Sequence, residues 1–482
     1  MNERFSSGII NAAKWSSLSE LMAKMVSPIS TMVLARILTP DAFGVLITST
    51  MIITFAEIFT DAGFQKYLIQ HQFNTDEELY KSTSVAFWTN LALSIGIWGL
   101  ICLFSSDIAY LVGNDGYGLV IAVSCICIPL ESFSSIQMAL FKRAMDFKTL
   151  FQVRVINIII PIVVTIPIAF LTKSYWSLII GVIVLNICNA VYLTFKSKWR
   201  INRFYDVGLF KEMFTFTAWS MVEAVSIWLT LNIDVFCVGS ILNSYYMGLY
   251  KTSINLVNSI FSVIIASSTP VLFSALSRLQ DNPSEFNQLF FMFQKVVGCI
   301  VIPLGVLIFL YSDVITIVLL GNQWTAASSC IGWWGLTSAF TIVLSHYSGE
   351  IYRAKGKPKL SFIAQLLHLL FLIPVIFISI RYGFECLYVS RSLIRFQAIL
   401  VNMIILYKLI NISPMSLISN VFPASLSCLS ILVIYLFVGS CSSSSNQIAI
   451  AVLSIITYMC IIACFPSERR LIKKFCGMLI KK

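Results

Sequence analysis

Runs of about 20 predominantly apolar residues recur from one end of this 482-residue sequence to the other. That length matches one bilayer crossing by an α-helix, whose backbone polar groups are all satisfied internally. Hydrophobic residues make up 58% of the chain, charged residues 11%, and mean hydropathy is +0.87. These values exclude the two or three soluble domains that length alone suggests. The fold class is therefore an all-α polytopic membrane protein. The runs place helices at 13–37, 42–64, 82–105, 117–140, 151–171, 175–195, 214–240 and 245–269. Further helices are placed at 287–311, 327–351, 360–380, 384–407, 416–439 and 447–465, giving about fourteen. An even number puts both termini on one side. The opening "MNERFSSGIINAAKW" lacks the short apolar core and small-residue site of a cleavable signal peptide.

Charge fixes the orientation. Of the 33 lysines and arginines, 24 fall in segments on the side of the termini, and six lie within spans. Only Arg36, Lys173 and Arg381 fall on the other side. Cytoplasmic loops collect such residues, so both ends are expected in the cytoplasm. The same bias accounts for the net charge of +11, and no nucleic-acid partner is expected. Outer loops are short, which leaves no room for an extramembrane catalytic domain, so the chain is not expected to be an enzyme. No Walker A, HExxH, nucleophile-elbow or GxGxxG motif occurs. An ion gradient or the substrate gradient is the expected driving force. The thirteen cysteines sit mostly in apolar runs without a CxxC pair and read as small buried hydrophobes, with no metal expected.

An internal repeat divides the chain. A shift of 204 residues lays Trp15-Ser16 on Trp219-Ser220, Ile37-Leu38 on Ile241-Leu242 and Gly44 on Gly248. A shift of six helices keeps the two copies in the same topology, related by a parallel pseudo-twofold. The expected division is a six-helix lobe at 1–203, a second at 204–410, and two extra helices with a basic tail at 411–482.

Polar side chains form stripes at membrane depth, where ionisable groups are costly. Glu20, Lys24, Ser27 and Thr31 follow i, i+4, i+7, i+11 spacing and share one face of the first helix. Thr50, Thr54, Glu57 and Asp61 repeat that spacing on the second helix. Glu223, Ser226, Thr230 and Asp234 line the seventh, and Lys251, Asn255, Asn258 and Ser262 the eighth. These helices are repeat equivalents, so the stripes are expected to line a water-filled central cavity. Ser338, Thr341 and Ser345 make an uncharged stripe on the tenth helix. Arg391 and Arg395 give the twelfth a basic face. Either the two guanidiniums meet a pyrophosphate, which suits their planar forks, or Glu350 or Glu385 neutralises them. His346 and His368 read as hydrogen-bonded residues of the helix core.

The segment "LARILTPDAFGVLITSTMIITFAEIFTDAGFQKYLIQ", Leu34 to Gln70, carries an A-R-x-L-x-P-x-x-F-G turn. A helix ending in Asp61-x-Gly63 and an Ile69-Gln70 pair follow it. This pattern resembles the N-terminal signature of polysaccharide flippases in the multidrug/oligosaccharidyl-lipid/polysaccharide exporter superfamily. The resemblance implies movement of undecaprenyl-pyrophosphate-linked oligosaccharide units from the inner to the outer leaflet of a bacterial inner membrane, by alternating access. It also implies a cation-lined cavity between two lobes and a groove for the lipid tail made by the last two helices. Under this reading Lys24, Lys251, Arg391, Arg395, Asn255 and Asn258 would hold the head group. Glu20, Glu57, Asp61, Glu223 and Asp234 would balance charge or couple H⁺ or Na⁺, and no other cofactor is expected. Expected partners are membrane lipids, a polysaccharide polymerase and glycosyltransferases. A multidrug exporter of the same superfamily and a membrane polymerase are the rival readings.

Overall fold

The computed structural model describes residues 22–61, 63–357, 359–439, 444–466 and 468–469. Among the described residues the chain is helical, with no strand. Residues 22–37 form α1, followed by α2 (Pro40–Asp61), α3 (Asp76–Leu103), α4 (Gly118–Arg143), α5 (Phe147–Thr172) and α6 (Trp176–Lys196). Then come α7 (Val207–Ile241), α8 (Ser244–Arg278), α9 (Pro283–Leu310) and α10 (Asn322–Ala354). The last four are α11 (Lys359–Tyr382), α12 (Phe384–Ile410), α13 (Pro414–Val438) and α14 (Ser444–Ile462). Twelve of them, α2 to α13, are long and apolar enough to cross a membrane. The described part of α1 and the shorter α14 occupy the two remaining expected positions. Residues 13–21 of the expected first helix, Glu20 among them, lie outside the described residues.

Helix starts follow cap chemistry. Thr75 accepts from the Glu78 N–H at 3.2 Å, and the Glu78 carboxylate accepts from the Asn74 N–H at 2.9 Å. Asp206 caps α7 through the N–H groups of Gly208 and Leu209. Asn282-Pro283 opens α9 and Ser413-Pro414 opens α13, with proline where no intrahelical donor is needed.

The chain divides into two compact units, Met1–Lys251 and Thr252–Lys482. The first is centred on an aromatic cluster of Phe64, Tyr67, Phe87 and Trp199, packed with Val85, Ile136 and Met213. A short helix, Phe64–Gln70, joins that cluster. Arg143 closes its end by donating to the Leu68 and His71 carbonyls at 2.8 and 2.7 Å while stacking on Phe73. The Tyr67 hydroxyl donates to Glu212 of α7 at 2.8 Å, and burial beside that carboxylate pushes its phenol above the ordinary range. Arg143→Ala strands two carbonyl acceptors, so thermal unfolding in detergent should show a loss of about 2 kcal/mol.

Three helix boundaries recur at the repeat offset of 204. α1 ends at 37 and α7 at 241; α2 begins at Pro40 and α8 at Ser244; α4 begins at Gly118 and α10 at Asn322. At the second of these, the repeat-equivalent glycines meet within the first unit. A Cβ on Gly44 would run into the Ser244 carbonyl, and a Cβ on Gly248 would run into the Pro40 carbonyl. Pro40 pairs with Ser244, and Gly44 with Gly248, at the same offset, so the contact is reciprocal. The Ser244 hydroxyl also donates to Asp41 at 3.4 Å. Beside them, a buried chain links Asn114 to Thr48 and Thr48 to the Met247 sulfur.

In the second unit α9 lies along α10 through Gly305, Gly335 and Ala339, small residues that let backbones approach. Asn420 of α13 donates to the Phe291 carbonyl and to Gln294, both on α9. The Tyr458 hydroxyl of α14 donates to the Cys299 carbonyl at 2.9 Å. Buried Glu468 pairs with Lys295 at 3.2 Å.

Candidate functional site

Polar groups converge within the second unit, where α10, α11 and α12 line a cavity of about 320 Å³. Helical spacing aims one face of each helix into it. α12 contributes Arg391, Arg395, Ala398 and Asn402, at i, i+4, i+7 and i+11. α11 contributes Ser361, Gln365 and His368, at i, i+4 and i+7. α10 contributes Trp334, Thr341 and Ser345, and then departs from regular spacing. Residues Ile342–His346 form one π-helical turn, whose extra residue brings His346 to the lining beside Ser345. Such turns recur at functional sites.

Trp334 organises the basic end. The Arg391 and Arg395 guanidiniums lie 5.3 and 4.2 Å from its ring centroid. Its Nε1 donates to the Asn258 side chain of α8 at 3.1 Å. Arg395 donates to Ser338 at 2.6 Å, so the arginine face of α12 and the hydroxyl stripe of α10 meet. At the other end Asn402 donates to Ser345 at 2.9 Å and accepts from the Tyr352 hydroxyl at 2.8 Å. His368 Nδ1 is hydrogen-bonded to Gln397 at 3.0 Å. No described residue lining the cavity is acidic. Glu350, one of the two acids weighed as neutralising partners, instead pairs with Arg353, and Glu385 is exposed at the start of α12. Two guanidiniums on one face of α12, each with a planar fork of donors, suit an anion with several oxygens.

Of the other residues singled out by sequence, Lys24, Glu57, Asp61, Asp234 and Lys251 lie in the first unit, and Asn255 and Asn258 in the second. Lys24 is half-buried on α1. Glu57 and Asp61 are half-buried on α2, and the Glu57 side chain lies beside that of Glu131 on α4. Asp61 lies beside Gln65, and its Oδ1 is buried without a hydrogen bond. Thr54 of the same stripe accepts from Trp228 of α7 at 3.1 Å. Asp234 is buried, accepting from Tyr250 at 2.9 Å and from the Val235 N–H at 2.8 Å. Lys251 donates to the Leu231 carbonyl at 3.2 Å, which ties the start of α8 to α7. Asn255 and Asn258 are exposed on α8. The Glu223 side chain lies outside the described ones. The structure thus brings Arg391, Arg395 and Asn258 together through Trp334, and Glu57 together with Glu131. Sequence reading missed Trp334, His346, Gln365 and Asn402 as lining residues, and Glu131 as the partner of Glu57. Asn402 was findable, since it continues the Arg391–Arg395 face by seven residues.

A family model described as a polysaccharide biosynthesis protein matches residues 33–329, more than half of the chain. The chain belongs to this family. A membrane protein of the cps region of Klebsiella pneumoniae is 24% identical over 378 residues, which span 77% of this chain and 76% of that one. The lipopolysaccharide biosynthesis protein WzxC of Escherichia coli is 21% identical over 376 residues, 77% of this chain and 75% of its own. The lipid II flippase MurJ, in its inward closed conformation, has the same fold. Its TM-score is 0.69 at 17% identity, covering 98% of this chain and all of the MurJ chain. This polysaccharide biosynthesis family member is therefore a multi-pass helical membrane protein with the MurJ fold.

Proposed function

We propose that the protein flips polyprenyl-diphosphate-linked oligosaccharide repeat units from the cytoplasmic to the outer leaflet of a bacterial inner membrane, for surface polysaccharide assembly. The observation that carries this reading is the polar cavity lined by Arg391 and Arg395, whose guanidiniums stack on Trp334, among membrane-crossing helices. A diphosphate and a hydroxyl-rich sugar cannot enter hydrocarbon cheaply, whereas a polyprenyl tail stays there. A polar cavity within a helix bundle gives the head group a path and leaves the tail in lipid. The same two cations repel organic cations, which disfavours a multidrug exporter.

In this reading the repeat lobes, 1–203 and 204–410, expose the site to each leaflet in turn, and residues 411–482 accompany the lipid tail. Both termini are cytoplasmic, in keeping with the charge bias. Polymerase and glycosyltransferases act before and after the flip, and the protein itself makes no bond. The head group is held by Arg391 and Arg395, with Asn258 acting through Trp334. Lys24, Lys251 and Asn255 supply further polar contacts during its passage. Asp234 and Glu223 balance charge on α7, as Glu20 does for Lys24.

H⁺ coupling is assigned to the neighbouring Glu57 and Glu131 carboxyl groups of α2 and α4. Asp61 is the neighbouring acceptor. If this pair couples transport, Glu57→Gln removes most of the acceleration that an imposed proton gradient gives, while exchange without a gradient persists. An unchanged response to the gradient in vesicles would dismiss the pair. The function as a whole is tested by deletion. Cells lacking the protein should lose surface polysaccharide and accumulate the lipid-linked saccharide, with no change in sensitivity to cationic drugs. Drug sensitivity with normal polysaccharide would establish the rival exporter.

A further inference from the structure

Between Leu360 and Ile378, α11 carries three polar residues in an otherwise apolar sequence: Ser361, Gln365 and His368. All three line the cavity. Their i, i+4, i+7 spacing puts them on one face, so a single wall of a strongly apolar helix is polar. Polar groups in such a helix are costly unless they meet a partner. Ser361 and Gln365 make no hydrogen bond within the described protein, and Gln365 is exposed into the cavity side of α11. His368 is engaged through one ring nitrogen, Nδ1, by Gln397, which orients the ring. The facing wall differs. There Asn402, Ser345 and Tyr352 satisfy one another, and Arg395 is bonded to Ser338.

The cavity therefore has a cationic end and a neutral end. Arg391 and Asn402 are eleven residues apart on α12, which is about 16 Å of helix. Neutral amide, hydroxyl and imidazole groups, each able to donate or accept, are the set that pairs with vicinal hydroxyls. They carry no charge that would attract a phosphate.

We propose that Ser361, Gln365 and His368 of α11 form a saccharide-reading wall, which hydrogen-bonds the sugar next to the diphosphate held by Arg391 and Arg395. This rests on the reading of the arginine pair as the diphosphate site. It assigns the two recognition tasks to different helices: α12 takes the anion common to all such lipids, and α11 selects among sugars. A site built to hydrogen-bond hydroxyls rejects ligands that leave its polar groups unpaired.

The test compares two probes on the purified full-length protein in nanodiscs. One is the diphosphate-linked saccharide that accumulates in cells lacking this protein. The other is bare polyprenyl diphosphate prepared from it by removing the sugar. Wild type should bind the saccharide form more tightly. Gln365→Ala and Ser361→Ala should each weaken the saccharide form by about tenfold, the scale of one hydrogen bond, and leave the bare lipid unchanged. Retained binding of the bare lipid also shows that the variants are folded. His368→Gln, which keeps a hydrogen-bonding group, should lose less than His368→Leu. Equal loss for both probes, or no loss for either, overturns the proposal while leaving the arginine site intact. Failure of the wild type to bind bare polyprenyl diphosphate would instead remove the arginine reading on which the proposal stands.

Discussion

Arg391→Ala combined with Arg395→Ala should abolish complementation of surface polysaccharide in a deletion strain and lower head-group binding by about a hundredfold or more. A charge-assisted hydrogen bond contributes about 1.5 to 3 kcal/mol, and losing one from each guanidinium amounts to about 3 kcal/mol or more. The same change removes both cation contacts with Trp334, whose ring centroid lies 5.3 and 4.2 Å from the two guanidiniums. Some stability is lost with it, about 1 kcal/mol for each partly buried stack. The Arg391→Lys, Arg395→Lys variant separates these effects. It keeps both charges while losing the planar forks, so binding should fall by an intermediate factor with folding preserved. Wild-type polysaccharide in the double alanine variant, at normal protein levels, would show that the cavity is not the head-group site.

Gly44→Val should sharply reduce the yield of folded protein, and Gly248→Val should do the same. At each position the new side chain meets backbone, the Ser244 carbonyl in one case and the Pro40 carbonyl in the other. No rotamer change relieves a clash with a carbonyl, so the starts of α2 and α8 would have to separate. Overpacking commonly costs about 1 to 3 kcal/mol, and this overlap lies at the upper end or beyond. The Asp41–Ser244 hydrogen bond would be strained in the same movement. Gly96→Ala and Gly99→Ala on α3 are the controls. A Cβ there meets nothing within 4 Å, so alanine should be neutral or slightly stabilising through its better helix propensity. Fluorescence-detected size-exclusion after heating ranks all four. Equal melting of Gly44→Val and Gly96→Ala would contradict the close reciprocal contact.

Much of the fold was legible because bilayer thickness imposes a length on each apolar run. The expected helix at 42–64 is Pro40–Asp61, and that at 384–407 is Phe384–Ile410. Helices extending past the apolar runs were harder to bound. α8 runs on to Arg278 and α7 starts at Val207, because capped polar turns continue a helix beyond the hydrocarbon. The repeat register proved informative at backbone level, where Gly44 and Gly248 meet in a way that six scattered identities only hinted at. The site was legible in its pieces. Arg391 and Arg395 on one face, and Ser338, Thr341 and Ser345 on another, were each visible as stripes. That these two faces meet, with Trp334 between them, depends on how α10 packs against α12, and helical spacing carries no information on that. The π turn at Ile342–His346 was illegible for a different reason: an added residue in one turn leaves no periodic trace in so short a segment. The partnership of Glu57 with Glu131 likewise joins α2 to α4 across about seventy residues of sequence.

The central claim is that this membrane protein carries a diphosphate-linked saccharide across the bilayer through the cavity of α10, α11 and α12. Its most direct measurement uses proteoliposomes loaded with that lipid and a membrane-impermeant reagent that modifies exposed saccharide. Wild-type protein should make the inner-leaflet pool accessible within minutes, and the Arg391→Ala, Arg395→Ala protein should match protein-free vesicles. Accessibility that is the same in wild-type, variant and protein-free vesicles would contradict the account, as would a variant that flips as fast as wild type.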